Sequence, residues 1–310
     1  MASPNTVAFE GDFAHTYLYT RGIRLHVAQS GEPSGELVIL LHDGFGAWFD
    51  FAHVIAPLAA QGFHVAALDL RGYGLSDKPP LGSDFSVRTL ASDLAGVIPA
   101  LGHESAHLVG ADIGGAIGWV LATTHPHLVT SLTSISAAHP HDLRRAMRAR
   151  PWDYLVLLVR QMMLRLSAPL PSHQRLLHWL AARHERLNVT PENAPSERVQ
   201  SHLAQRHAGI RVDAAAGAMS RIAGLIVSYV PGSRARGQVR CPVLLLHPPQ
   251  SLWPRMLRIM RTRVAEPALL AHDHIAGTKN LPHVERPEEF TQRVSDFVRS
   301  LPCPPAGSAQ

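Results

Sequence analysis

The stretch Leu108-Val109-Gly110-Ala111-Asp112-Ile113-Gly114-Gly115 decides the fold that the sequence predicts. Its apolar start is typical of a strand, and the pattern Gly-x-Asp-x-Gly-Gly then predicts a sharp turn into a helix. Small residues around such a turn let its central residue hold a strained backbone with an exposed side chain. The helix N-terminus behind it offers backbone N–H groups to developing negative charge. Asp112 therefore stands where a turn of this kind carries a nucleophile.

Strand and helix patterns alternate on both sides of this turn. Leu37–Leu41 is a continuous apolar run, as expected of a parallel strand that is buried on both faces. Similar runs predict strands at 64–70, 106–109, 129–136, 243–247 and 268–271. Helical spacing predicts helices at 51–60, 88–101, 113–124 and 287–301, and residues 15–30 predict a hairpin. The order indicates an α/β fold with a mostly parallel, doubly wound sheet.

The alternation stops for about 100 residues between positions 139 and 237. This segment is rich in Arg, helical in pattern and broken by prolines. Because helices interrupt a sheet that is completed afterwards, the sequence predicts a core with an inserted helical cap. We place the first part of the core at 1–139, the cap at 140–237, the second part of the core at 238–301 and a disordered tail at 302–310.

Composition limits the function classes. Apolar residues make up 46% of the 310-residue chain and charged residues 17%, which is typical of a globular protein. Two cysteines are too few for a disulfide framework, and the first residues form no secretory signal, so we expect a cytoplasmic protein. No apolar run reaches the roughly 18 residues needed to cross a bilayer. The prediction includes no cofactor and no metal, and it leaves the oligomeric state open.

Charge is distributed unevenly along the chain. Residues 141–240 contain 16 Arg, no Lys and six acidic residues, a formal charge of +10, whereas the remainder carries −5. We expect this excess as a basic face of the cap, which would favour anionic ligands, anionic lipid or an acidic partner. Nucleic acid is not predicted, because no recognition motif is present. Weak peripheral contact of residues 144–170 with an anionic membrane is an alternative to an ordinary cap helix.

Three further stretches complete a resemblance to a known family. They are Leu40-Leu41-His42, Asp69-Leu-Arg-Gly-Tyr-Gly-Leu-Ser-Asp-Lys-Pro79 and Pro282-His-Val-Glu-Arg-Pro-Glu-Glu-Phe290. With the turn at Asp112, the sequence resembles the α/β-hydrolase superfamily, in particular its branch of epoxide hydrolases and haloalkane or haloacid dehalogenases. The resemblance implies an α/β-hydrolase fold in which Asp112 attacks carbon to form an ester. It also implies that the backbone N–H groups of Ile113 and Gly44 stabilise the oxyanion.

The supporting positions depart from that family pattern. Asn280 stands where the resemblance places the histidine that activates water, and Ser251 stands where it places the carboxylate that orients this histidine. Asp43 puts a carboxylate beside the expected oxyanion site. Asn is no general base near neutral pH, and losing such a base costs about 10²–10⁴ in rate. The sequence therefore predicts weak, altered or absent hydrolysis.

The alternative is a non-catalytic protein that binds a small apolar or anionic ligand in the pocket between cap and core. Under this alternative, Asp112 is only a turn former or helix N-cap. Ile113 also stands where haloalkane dehalogenases place a halide-binding Trp. Epoxide hydrolases use cap tyrosines to protonate the epoxide oxygen; here Tyr229 matches no such motif, and Tyr154 is predicted to be a core residue.

Other residues are weighed as substitutes for the missing groups. His272, His274 and His283 flank Asn280 and are candidates for the base. Asp142 is a candidate for the second carboxylate, with a surface acid at the start of the cap as the alternative. The register places Asn280 opposite Asp112, in direct contact or through one water, at about 3–6 Å.

Overall fold

The computed structural model describes residues 4–80, 83–167, 173–212, 214–223 and 237–301. One eight-stranded sheet has the order β1-β2-β4-β3-β5-β6-β7-β8. Its strands are β1 (Ala14–Thr20), β2 (Ile23–Ser30), β3 (Leu37–Leu41), β4 (His64–Leu68), β5 (Ala106–Ala111), β6 (Val129–Ile135), β7 (Val243–Leu246) and β8 (Leu270–Asp273). β2 pairs antiparallel with β1 and β4, and every later pair is parallel. The predicted mostly parallel α/β architecture is confirmed.

Helices cover the central strands. They are α1 (Ala52–Ala59), α2 (Val87–Ala100), α3 (Ile113–Thr124), α9 (Trp253–Arg261), α10 (Pro282–Glu285) and α11 (Pro287–Arg299). α1 packs on α11, and α2 packs on α3. All side chains of β3, β4, β5 and β7 are buried, which explains why these strands are apolar runs without alternation. Short 3₁₀ helices span Pro4–Val7, Trp48–Phe51, Pro126–Leu128 and Pro151–Tyr154.

In the described residues, five further helices stand between β6 and β7. They are α4 (Pro140–Ala149), α5 (Leu155–Ser167), α6 (His173–Asn188), α7 (Glu197–Arg211) and α8 (Ala215–Ala223). α6 packs on both α5 and α7, and α7 packs on α8. We call these five helices the insertion; the cap boundaries at 140 and 237 stay a prediction. Tyr229, Cys303 and the predicted tail at 302–310 lie outside the described residues.

Glu285 anchors the insertion to the core. Its Oε1 accepts a hydrogen bond from the backbone N–H of Thr190 at 2.7 Å, just past the end of α6. Its Oε2 accepts another from the backbone N–H of Lys279 at 2.7 Å. One carboxylate thereby holds the end of α6 against the loop that carries Asn280.

Candidate functional site

The turn at Asp112 joins β5 to α3. The backbone of Asp112 has φ 46° and ψ −109°, a conformation that costs a non-glycine residue about 1–3 kcal/mol. Close packing holds the turn: a Cβ on Gly110 would lie 2.5 Å from the backbone nitrogen of Gly115, and one on Gly114 would collide with the carbonyl of Leu41. The glycines of this stretch are therefore needed so that α3 can start directly behind the end of β5.

Asp112 occupies the N-cap position of α3, but its carboxylate does not cap the helix. The side chain makes no hydrogen bond to an N–H of α3 or to another described residue, so side-chain capping is not its role, while the role of turn former stays a prediction. An ideal Cβ on Gly44 would lie 3.6 Å from its Oδ2, which places the carboxylate beside the Gly44 loop. Burial raises the pKa of Asp112; the nearby Arg160 charge opposes this, and the Asp43 carboxylate adds to it.

A cavity of about 240 Å³ lies at Asp112, between the core and the insertion. Its lining includes small or apolar core residues and Tyr154 of the 3₁₀ helix Pro151–Tyr154. Five residues of the insertion also line it: Leu143, Leu157, Arg160, His184 and Asn188. Several of these residues also line a wider space of about 790 Å³ between α5 and α6. The two spaces share lining residues and so adjoin each other, and Asp112 lines the smaller one.

Asn280 forms one wall of the cavity. Its Oδ1 accepts a hydrogen bond from Ser136 Oγ at 2.7 Å, and its Nδ2 donates to Asn188 Oδ1 at 2.6 Å. Its backbone N–H donates to the Asn188 carbonyl at 3.1 Å. Asn280 and Asp112 line the same cavity, but no direct hydrogen bond joins them. This wall is neutral, and its amide is occupied by neighbours.

Ser251 lies outside the cavity. It is exposed in the turn between β7 and α9, whereas its neighbours Gln250 and Leu252 line the cavity. The position at which the resemblance expects the orienting carboxylate therefore contributes nothing to this site.

None of the three histidines near Asn280 lines the cavity. His283 is buried, its ring centre 4.6 Å from that of Phe51, and burial lowers its pKa to about 4. His274 Nε2 lies 3.2 Å from the carbonyl of Thr278, and His272 is exposed. These side chains are not placed to act as a base at Asp112.

Asp142 and Tyr154 also differ from expectation. Asp142 is buried and paired with Arg263, with Oδ1 2.7 Å from Nη2, so it is neither a surface acid nor a free carboxylate at the site. Tyr154 packs against the core but also lines the cavity, which the prediction of a plain core residue missed.

Asp43 is buried, with 1% of its surface exposed. Its Oδ2 accepts a hydrogen bond from Arg206 Nη2 at 2.6 Å, and its Oδ1 accepts one from the backbone N–H of Phe45 at 2.8 Å. Although burial alone would raise it, the Arg206 charge and the contact with His184 hold the pKa of Asp43 well below its usual range. The carboxylate that the sequence places beside the oxyanion site is therefore a buried anion compensated by Arg206.

Arg206 is the centre of a buried ionic cluster formed with Asp43, Asp50, Glu185 and His202. Arg206 lies 3.4 Å from Asp50 Oδ2 and 3.1 Å from Glu185 Oε2, and His202 bridges Glu185 at 2.8 Å and Asp50 at 2.9 Å. Burial and the Arg206 charge would lower the pKa of His202, but its two carboxylate partners raise it to about 9. Burial would raise the pKa of Glu185, but the two cations lower it to about 2. The cluster joins the core to α6 and α7.

His184 is the site residue that the sequence did not reveal. It lies on α6, and its Nε2 is 3.2 Å from Asp43 Oδ2. Asn188, one turn later on the same face, meets Asn280, so α6 contacts the core at two polar points above Asp112. The sequence contains 20 histidines, and the one-turn spacing of His184 and Asn188 is only a weak indication that these two residues share a site.

The surface of the insertion differs in part from the basic face that the charge count predicts. Arg206 pairs with Asp43, and Arg198 pairs with Glu288 at 3.0 Å, so these two arginines do meet core carboxylates and the expectation is wrong for them. Among the described residues of the five helices, six other arginines are exposed: Arg145, Arg148, Arg175, Arg183, Arg186 and Arg211. The same surface exposes large apolar side chains, namely Trp152, Leu155, Val156, Val159, Met162, Leu166, Trp179 and Leu187. No helix in the described ranges is long and apolar enough to cross a membrane.

Residues 37–201 match the family model of the alpha/beta hydrolase fold. The AB hydrolase superfamily protein YfhM of Bacillus subtilis is 38% identical over 139 residues, which are 45% of this chain and 49% of that protein. Epoxide hydrolase B of Mycobacterium tuberculosis is 36% identical over 124 residues, which are 39% of this chain and 35% of that protein. The chain thus matches less than half the length of either relative.

Solved structures resemble nearly the whole chain in fold. A protein from Nostoc sp PCC 7120 has a TM-score of 0.77 at 22% identity, covering 94% of this chain and 99% of that one. Epoxide hydrolase VrEH1 from Vigna radiata has a TM-score of 0.70 at 20% identity, with the same coverage of 94% and 99%. At these identities the structural likeness concerns the fold. The sequence matches confirm the resemblance to the epoxide-hydrolase branch that the motifs indicated.

Proposed function

Because the chain belongs to the α/β-hydrolase fold family, whose model matches more than half of it, we propose that it hydrolyses a small organic electrophile through an ester on Asp112. The strained turn carries this proposal: it holds an uncapped carboxylate at a cavity between core and insertion. Such strain persists only where the surrounding structure enforces it, and it concentrates at functional sites. The relatives called epoxide hydrolases favour an epoxide or a related alkyl electrophile as substrate.

The first step is formation of the ester. An oxygen of ionised Asp112 attacks the electrophilic carbon, the bond from that carbon to the epoxide oxygen or halogen breaks, and its electron pair leaves with that atom. An alkoxide then takes a proton from water or from an acid in the cavity, where Tyr154 is the candidate. Because the pKa of Asp112 is raised, ester formation should fall on acidification at a higher pH than it would for an ordinary aspartate.

The second step is hydrolysis of that ester. Water attacks the carboxyl carbon of Asp112, and the backbone N–H groups of Ile113 and Gly44 are the candidates to stabilise the oxyanion. Tyr73 supports the second donor, since its hydroxyl donates to the Gly44 carbonyl at 3.0 Å. Asn280 cannot take the proton of the water, so the Asn280 wall alone predicts slow hydrolysis.

Intact-protein mass spectrometry tests the proposal. After incubation with a panel of epoxides and haloacids, we expect a mass increase that maps to Asp112 by peptide analysis. Asp112→Asn is the matched control, because it keeps the shape of the side chain and removes the nucleophile. A panel that gives neither adduct nor product, at protein concentrations that detect one turnover, would contradict the proposed function.

The fixed amide of Asn280 favours a second candidate function, a binding protein without turnover. Both polar groups of that side chain are bonded to Ser136 and Asn188, as expected of a structural contact. Under this candidate, a small apolar or anionic ligand occupies the cavity near Arg160 and leaves no covalent trace. Calorimetry distinguishes the two candidates: binding that is equally strong in the wild type and Asp112→Asn, without any adduct, would favour the binding protein.

The exposed face of α5 supports weak contact with anionic lipid, through which an apolar substrate would reach the cavity. Apolar side chains such as Leu155 and Val156, which are 59% and 67% exposed, follow the exposed Arg148 and Arg150 along the chain. We expect sedimentation with anionic vesicles that weakens with salt, since charges are screened beyond about 10 Å at 0.1 M. Val156→Ser should reduce it. Equal indifference to anionic and neutral vesicles at low salt would exclude this contact.

A further inference from the structure

Hydrolysis of an ester on Asp112 needs a base, and the position that the family pattern provides holds Asn280. Among the described residues that line the cavity, His184 is the one histidine. It reaches the cavity from α6 in the insertion and not from the core loop that carries Asn280. Its ring centre lies 5.3 Å from that of Phe45, in the same loop as Gly44.

The contact with Asp43 decides which nitrogen of His184 carries the proton. An ionised carboxylate can only accept a hydrogen bond, so Nε2, at 3.2 Å from Asp43 Oδ2, is the donor. A neutral imidazole then keeps its lone pair on Nδ1. That nitrogen makes no hydrogen bond to a described residue, which leaves it free to accept one from water in the cavity.

The ionic cluster supplies the charge that a base of this kind needs. Asp43, Asp50 and Glu185 carry three negative charges, whereas Arg206 and His202 supply two positive ones. A third cation in contact with Asp43 completes the balance. An imidazolium formed at His184 during proton transfer would therefore be stabilised where it forms, because these groups are buried and poorly screened.

We infer that His184 is the general base that hydrolyses the Asp112 ester, with Asp43 as the residue that positions its ring. This inference rests on the proposed function and deepens it. Nδ1 takes a proton from water as the water oxygen bonds to the Asp112 carboxyl carbon. The bond from that carbon to the ester oxygen then breaks, and the departing alkoxide, which carries this former Asp112 oxygen, takes the proton back from His184. The acid form of Asp112 that remains releases its proton to solvent.

The test separates ester formation from ester hydrolysis in His184→Gln. Glutamine can still donate to Asp43 but cannot take a proton from water. We expect ester formation to keep its rate within a few-fold while ester hydrolysis slows about 10²–10⁴-fold, so that the Asp112 adduct accumulates to one per chain. Single-turnover mass spectrometry measures both rates on the full chain.

His178→Gln is the matched control. His178 lies on the same helix, next to His207, and does not line the cavity. It should form and hydrolyse the ester as the wild type does. Asp43→Asn should also slow hydrolysis more than formation, because a misplaced imidazole still leaves Asp112 able to attack; a merely structural role for Asp43 would slow both steps together.

Each outcome has a separate meaning. An ester that forms and hydrolyses at the wild-type rate in His184→Gln overturns the inference and leaves the proposed function intact. Neither ester nor turnover in the wild type overturns the proposed function, and the inference falls with it. Should glutamine disturb folding, His184→Ala with added imidazole replaces it: hydrolysis restored by imidazole supports the inference, and wild-type hydrolysis without imidazole overturns it.

Discussion

The Asn280 wall and the His184 wall of the cavity differ in charge. The Asn280 wall comes from the core and is neutral, with an amide held by Ser136 and Asn188. The His184 wall comes from the insertion and belongs to a network of charged groups around Arg206. On our inference for His184, the base that the core loop does not supply comes from the insertion. A basic side chain can enter from another segment that closes over the same nucleophile.

The charged groups of the His184 wall need partners of opposite charge, whereas the neutral Asn280 wall does not. Buried charges are stable only when each has a partner, and breaking such a set is costly. Arg206 and His202 meet that condition for Asp43, Asp50 and Glu185. Part of the excess of Arg in the insertion is therefore structural. The following predictions separate the two walls.

The largest effect is expected for Arg206→Met. It leaves three buried carboxylates without their main cation, which should lower the free energy of unfolding by about 3–5 kcal/mol. Arg198→Met is the matched control, because its pair with Glu288 is exposed and is worth about 0–1 kcal/mol. Denaturant titration measures both. Equal small losses would show that the cluster does not hold the insertion to the core.

The next effect is on the pH dependence of stability. The pKa of His202 is raised to about 9 from an ordinary value of 6.5. Its contribution to the free energy of unfolding is therefore complete below pH 6.5 and disappears as the pH rises through about 9. This shift corresponds to roughly 3 kcal/mol. His202→Gln should flatten that part of the pH profile. A wild-type stability that stays constant from pH 6.5 to 9.5 would contradict the charged state of this wall.

A smaller effect of opposite sign is expected at the floor of the cavity. Asp112→Gly should raise the free energy of unfolding by about 1–3 kcal/mol, because glycine relieves the strain at φ 46°. Ala214→Gly is the control at another positive φ, 59°, where no carboxylate is removed. If Asp112→Gly raises the free energy of unfolding no more than Ala214→Gly does, the gain comes from backbone strain alone and the buried charge of Asp112 contributes nothing.

The smallest effects belong to the neutral wall. Asn280→Ala should slow ester hydrolysis less than about 10-fold, against 10²-fold or more for His184→Gln. Ser251→Asp, on an exposed turn, should change stability within about 0.5 kcal/mol and add nothing to Asn280→His. Single-turnover rates and thermal unfolding check both. If the double variant Asn280→His with Ser251→Asp hydrolyses the ester much faster than Asn280→His alone, position 251 can hold the orienting carboxylate after all.

Local patterns explain what could be predicted from the sequence. The bounds of β3 and α3 match the predicted residues, and the turn at Asp112 lies between strand and helix, because apolar runs and glycine spacing act over a few residues. β8 begins two residues later than predicted, at Leu270, where the apolar pattern is weak. α9 was missed because two prolines, Pro248 and Pro249, precede its start and obscure the helical spacing.

Contacts between distant residues explain what could not be predicted. His184 and Arg206 meet Asp43 across 141 and 163 positions of the chain, and no spacing rule connects residues that far apart. Charge counting revealed the excess of Arg between 141 and 240 but not that Arg206 is buried. Tyr154 was predicted to lie in the core because its neighbours are apolar, yet one side of it lines the cavity.

If Asp112 and His184 act as proposed, nucleophile and base lie on separate segments, and this has an evolutionary consequence. Asp112 lies in the core, at the turn between β5 and α3, whereas His184 lies in the segment between β6 and β7. Exchange of that segment by recombination would leave a scaffold that still captures electrophiles but no longer releases them. Such a chimera would be a stoichiometric scavenger, consumed after a single capture. A protein that turns over and a protein that is consumed after one capture would then differ in one inserted segment, with every residue of the capturing scaffold unchanged.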